Sequence, residues 1–232
     1  MKLILTKKPK SPTMIYGFPS VGLVSTITTK FLIEHLEVEE IGCIESKYLL
    51  PLTAIHKSKI VHPITIYYNK KYNLLILQAL TEVAGHEWDL AQTFMELGKT
   101  LAAKEIIVVE SMPTHEKEVN LYYYSTIKSN KLKLKPLTEG IVMGTTAALL
   151  LKAKTLPVTC IFSEAHSEFP DSEAAAKVVD ALNIYLGIKI DYKPLLEEAK
   201  KFEEKLKLLK SMIVKSKGGN QQVGEEKQTY IG

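Results

Sequence analysis

The run Glu105-Ile106-Ile107-Val108-Val109-Glu110 constrains the fold more than any other stretch of this chain. Four consecutive β-branched residues between charged ends favour an extended backbone. Because they do not alternate with polar residues, both faces of the strand must be covered. Such a strand belongs inside a sheet with helices above and below it.

The flanking segments fit that arrangement. Strands are expected at 14–16, 41–45, 60–68, 73–79, 120–127 and 156–163. Asn69-Lys70-Lys71-Tyr72 reads as the turn of a hairpin, and the Lys/Leu alternation of 131–135 as an exposed edge. Val21, Val24, Ile27, Phe31 and Leu32 have helical spacing, with Ser20 as the expected N-cap. Further helices are expected at 86–101 (Trp88, Ala91, Met95 and Leu97 inward), 140–152 and 171–186. Strands alternating with helices predict an α/β fold, a three-layer α/β/α sandwich with a mainly parallel sheet, over residues 1–192.

The character changes after Asp191. Pro194 suits the first turn of a new helix. Leu195, Ala199, Phe202, Leu206, Leu209 and Ile213 then recur at spacings of four and three, giving an amphipathic C-terminal helix over 193–214. Early glutamates and late lysines complement its dipole. This seam packs on its own domain or also contacts another subunit; the spacing fits both. Residues 215–232 read as a flexible polar tail ending in Thr229-Tyr230-Ile231-Gly232.

Composition excludes several function classes. All 30 basic residues are lysines, at a net charge of +4. Without the guanidinium fork, nucleic-acid recognition and arginine-assisted phosphoryl transfer lose weight. No apolar run reaches the roughly 20 residues that span a bilayer, and the opening Met1–Thr6 is too short for a signal peptide, so a cytoplasmic protein without membrane contact is expected. Cys43 and Cys160 lie in apolar runs and read as small buried hydrophobes.

Four polar clusters fall at strand ends, where open α/β sheets place their sites. Gly17-Phe18-Pro19-Ser20-Val21-Gly22 could cradle an anion, but it lacks the Lys-Ser/Thr of a P-loop and reads first as a tight turn. Around His86, the carboxylates Glu82, Glu87 and Asp89 resemble the start of a zinc-protease motif, yet Leu90 stands where the second histidine belongs. Ser111 and His115 offer a nucleophile and a base without a Gly-x-Ser-x-Gly elbow. His166, near Glu164 and Glu168, could join His115 at one edge of the sheet. No metal or cofactor is expected from any of them.

The order of several motifs resembles the proteasome assembly chaperone family, particularly its archaeal members. Ile15-Tyr16-Gly17-Phe18-Pro19-Ser20-Val21-Gly22-Leu23-Val24 is similar to the family's Gly-Phe-Pro-x-x-Gly-Leu-Val opening. Trp88 with Ala91, the segment Gly140-Ile141-Val142-Met143-Gly144, and Pro170-Asp171-Ser172-Glu173-Ala174-Ala175-Ala176 follow in the family's order, over roughly residues 14–195. The resemblance implies a nucleoside-phosphorylase-like fold and an ATP-independent homo-oligomer that binds proteasome α subunits or the core particle. It also implies a partner-binding tail of Tyr230, Ile231 and Gly232, although relatives place the tyrosine second from last and here it is third. The rival reading, from the fold alone, is an enzyme acting on a nucleoside. That enzyme would need Ser20, Glu82, Glu110, His115 and His166 in one pocket.

Overall fold

The computed structural model describes residues 1–56, 58–81, 83–116, 118–127, 132–166, 169–201 and 204. Nine strands form one sheet: β1 (Lys2–Leu5), β2 (Thr13–Gly17), β3 (Val38–Glu45), β6 (Ile64–Asn69), β7 (Leu74–Ala79), β8 (Glu105–Pro113), β9 (Leu121–Ser125), β10 (Lys135–Pro136) and β11 (Val158–Ala165). Their spatial order is β1-β3-β6-β7-β2-β8-β11-β9-β10. A separate small hairpin joins β4 (Ala54–His56) to β5 (Lys59–Val61).

The centre of the sheet is parallel. β2 runs parallel to β7 and to β8, and β8 to β11, in register from Val158 opposite Ile106 to Ala165 opposite Pro113. Antiparallel pairs flank this centre: β1–β3, β3–β6 and β6–β7 on one side, and β11–β9 on the other. The expected central strand is therefore in place, with β8 between β2 and β11.

Period-two alternation divides the strand residues between two cores. Ile15, Ile76, Ile107, Val109 and Ile161 face α1 (Val24–His35) and α4 (Ser172–Leu186). Met14, Tyr16, Ile106, Val108 and Phe162 face α2 (Glu87–Thr100) and α3 (Gly144–Lys152). α1 packs on α4 and α2 on α3, which completes the three layers. Ala174, Ala175 and Ala176, all buried, keep α4 slim where it meets this core.

Several local expectations change. Trp88, expected inward, is 56% exposed, and α2 instead turns Leu90, Ala91, Phe94 and Leu97 inward. Pro63 separates β5 from β6, where one strand over 60–68 was expected. The helix expected from 140 begins at Gly144, leaving 140–143 as a loop. The chain is helical again over 193–201, with Leu195 buried in the α1/α4 core and Ala199 half-buried. Phe202, Leu206, Leu209, Ile213 and the tail residues Tyr230, Ile231 and Gly232 lie outside the described residues. Among the described residues, no helix is long and apolar enough to cross a membrane.

Candidate functional site

The ends of β2 and β8, the start of α3 and the loop before α1 enclose a cavity of about 530 Å³. It lies where strands end at the centre of the sheet, the position at which open α/β folds place binding sites. Apolar side chains dominate its wall, among them Phe18, Val83, Met112, Leu137 and Phe162. Ile141 and Met143 belong to the same wall and are 92% and 78% exposed, so the apolar lining continues onto the outer surface.

The loop 17–22 is shaped by packing. A Cβ on Gly17 would stand 2.5 Å from Ser25 Cβ. Gly22 adopts φ +63°, and a Cβ there would meet Ala165 Cβ at 3.0 Å and Asp171 Cβ at 3.1 Å. Both positions require glycine for close approach, and Gly22 also for its left-handed backbone. Ser20 does not cap the following helix through its side chain; its Oγ lies 2.6 Å from Ser111 Oγ. Ser111 Oγ in turn donates to the Val21 carbonyl at 2.6 Å. This serine pair fastens the loop to β8.

That arrangement also decides the chemistry of Ser111. Its proton is directed at a backbone carbonyl, and among the described residues no histidine lines the cavity to remove it. His115 is exposed and stands outside the cavity wall. His166 is engaged elsewhere: Nδ1 donates to Asp171 Oδ2 at 2.8 Å and Nε2 to the Glu116 carbonyl at 3.1 Å. Of the residues the enzyme reading needs together, the cavity holds Ser20 and Glu110 but neither His115 nor His166, and Glu82 lies outside the described residues. His86 stacks on Tyr48 and contacts Asp89 at 3.3 Å, as part of the entry to α2.

Electrostatics argue against a phosphate ligand. Glu110 accepts from Thr146 Oγ1 at 2.7 Å and from the Ser111 amide at 3.2 Å, so its carboxylate already lies at the first turn of α3. Glu87 and Glu139 add two more carboxylates to the wall, and among the described residues no lysine lines it. Burial pushes the Tyr16 phenol well above its usual range, and Glu110 pushes it further. Such a lining suits an apolar group bearing hydroxyls or a positive charge better than it suits an anion. Tyr16, Thr145 and Thr146 complete the polar floor and were not legible as site residues, because each looks like an ordinary strand or helix residue. The glycines bounding 140–144 were the available signal.

The profile of the PAC2 family matches residues 14–210. The chain belongs to the PAC2 family. An uncharacterized protein of Methanocaldococcus jannaschii is 26% identical to this PAC2 protein over 219 residues, 89% of this chain and 88% of the relative. A crystal structure of Pyrococcus furiosus PbaA, described as an archaeal homolog of proteasome-assembly chaperone, superposes with a TM-score of 0.78 at 25% identity, covering 93% of this chain and 99% of that one. Its monoclinic form gives a TM-score of 0.84 at 24% identity over 94% of each chain. Pyrococcus furiosus PbaB, an archaeal proteasome activator, shares the fold at TM-score 0.78 and 22% identity, over 90% and 98%. The fold and family expected from the motif order hold over the whole α/β body.

Proposed function

We propose that this PAC2 protein is an ATP-independent proteasome assembly chaperone or core-particle adaptor that acts as a homo-oligomer on proteasome α subunits. The observation that carries the reading is the match to PbaA, which extends over nearly the full length of both chains. The cavity supports it by what it lacks among its described lining: no histidine stands beside Ser111, and no lysine stands ready for a phosphate. Action by binding is the simpler use of such a surface.

The exposed Ile141 and Met143 give the domain apolar contact area at the mouth of the cavity. Tyr230 and Ile231 would act as anchors at the end of a tether, with Gly232 closing the chain. The 18 residues of 215–232 reach at most about 60 Å, and about 20–25 Å when flexible. Several tails on one oligomer raise the effective concentration of each, so weak contacts add up to useful avidity. The residues of the 195–213 seam beyond Leu195 are the proposed contribution of the C-terminal helix to the oligomer, with a cytoplasmic setting. Native mass spectrometry with α subunits and core particle tests the reading.

A further inference from the structure

Three metal-ligating side chains converge where β3 ends and the chain enters β6, away from the cavity. Cys43 Sγ, a carboxylate oxygen of Glu45 and an imidazole nitrogen of His62 all lie within 4.8 Å of one another. Cys43 and Glu45 are two apart on β3 and therefore project from the same face. Cys43 pairs with Thr65 of β6. The Thr65 hydroxyl donates to the His62 carbonyl at 3.2 Å, which holds the histidine's backbone near the end of β3. Cys43 is buried, His62 half-buried and Glu45 exposed, so the trio runs from the sheet to solvent and leaves an entry path.

Competing uses of these groups are weak. Cys43 is a free thiol and is part of neither apolar cluster that sandwiches the sheet. Glu45 contacts Lys2 Nζ at 3.9 Å, with both side chains more than half exposed. Such a surface pair contributes at most about 1 kcal/mol.

We propose that Cys43, Glu45 and His62 bind one zinc ion, with water in the fourth position. A thiolate, an imidazole and a carboxylate form the donor set that zinc prefers, and the thiolate disfavours calcium and magnesium. Tetrahedral zinc at bond lengths of about 2.0–2.3 Å places its donors roughly 3.3–3.8 Å apart. The donors, all within 4.8 Å of one another, need therefore close by at most about 1.5 Å, within reach of side-chain rotation at the exposed Glu45 and half-buried His62. On binding, the Cys43 thiol releases its proton to solvent and its sulfur bonds the metal as thiolate, while Glu45 leaves Lys2.

The position gives the ion a structural task. Glu45 and His62 bracket residues 46–61, which carry the β4–β5 hairpin with Ile55 79% and Ile60 66% exposed. A metal joining the two ends closes the neck of this excursion and restricts its conformations. Zinc thereby fixes the direction in which the two isoleucines are presented.

The test uses untagged full-length protein, stripped by chelator and titrated with Co²⁺. A thiolate-to-cobalt charge-transfer band with tetrahedral d–d bands should appear and saturate at one equivalent, and one equivalent of Zn²⁺ should displace it. Cys43→Ser should abolish the charge-transfer band. His62→Ala, which leaves the buried cysteine in place, should weaken binding by more than about 100-fold, beyond the range typical of outer-shell changes. Lys2→Ala should tighten it up to about fivefold by releasing Glu45. Zinc should slow proteolysis within 46–61 in the wild type and not in His62→Ala. Cobalt binding without a thiolate band, equal affinity in wild type and His62→Ala, or no binding at micromolar metal would each overturn the proposal.

Discussion

His166 donates through Nδ1 to Asp171 Oδ2 at 2.8 Å. Its other nitrogen faces the Glu116 carbonyl at 3.1 Å, so both ring nitrogens meet acceptors and the doubly protonated ring satisfies both. The Asp171 hydrogen bond is the main cause of a pKa raised above the ordinary 6.5. Asp171 also takes the His166 amide at 3.0 Å and caps α4 through the Ala174 amide at 2.9 Å. One carboxylate thus joins the end of β11 to the start of α4.

A pH dependence follows from that pair. The folded-state pKa lies above the unfolded one, so the stabilisation is complete below about pH 6.5 and fades as pH rises through the folded value. The His166 side chain is 49% exposed, and screening limits the effect to about 1 kcal/mol. Urea unfolding from pH 5.5 to 8.5 should show this decline in the wild type and a flatter profile in His166→Gln. A histidine NMR titration with His166 at or below 6.5 would contradict it.

The start of β8 holds a second ionisable group. Glu105 is buried there, and the Tyr185 hydroxyl meets its two carboxylate oxygens at 2.9 and 3.0 Å. The Thr159 hydroxyl donates to the same carboxylate. Burial pushes the Glu105 carboxyl above its ordinary value, and these bonds pull it back. Tyr185→Phe should cost about 1.5–3 kcal/mol at pH 7, because a bond to a charged acceptor is lost. The cost should shrink as pH falls through the Glu105 pKa and the acceptor becomes neutral. Denaturant unfolding at pH 7 and pH 4 measures the difference; equal costs at both would show that Glu105 does not change its charge between them.

Gly22→Ala supplies a third. The substitution forces an L side chain into φ +63° against Ala165, Asp171 and the His166 carbonyl. It should destabilise by about 2–3 kcal/mol from backbone strain and crowding together. Gly144→Ala shares the sign of φ (+68°) but meets nothing within 4 Å, so it should cost only about 1 kcal/mol. Equal losses in urea unfolding would mean that contact at Gly22 contributes nothing.

The sequence was most informative where one physical signal dominates. The β-branched run at 105–110 placed the central strand, because only a doubly covered strand tolerates it. The hairpin turn at 69–72 held, with Asn69 opposite Leu74 at its base. Trp88 misled, because bulk suggests burial while the period of α2 puts Leu90 and Phe94 inward. Residues 2–5 give no strand signal in the sequence, since four residues at a sheet edge carry little pattern of their own. That His166 stays out of the cavity wall is not legible: it depends on Asp171 capturing the histidine from five residues away in sequence. The Cys43–Glu45–His62 group was equally hidden, because strand register brings residue 62 beside residue 45.

Binding to the proteasome is measured by native mass spectrometry with α subunits and assembled core particle. The full-length protein is compared with a chain ending at Lys227. An oligomer should bind one or both partners, with binding weakened by the truncation and oligomer size unchanged. Binding that survives truncation would move the interface to the domain and remove Tyr230 and Ile231 as anchors. No complex with either chain at micromolar concentration would contradict the proteasome reading itself.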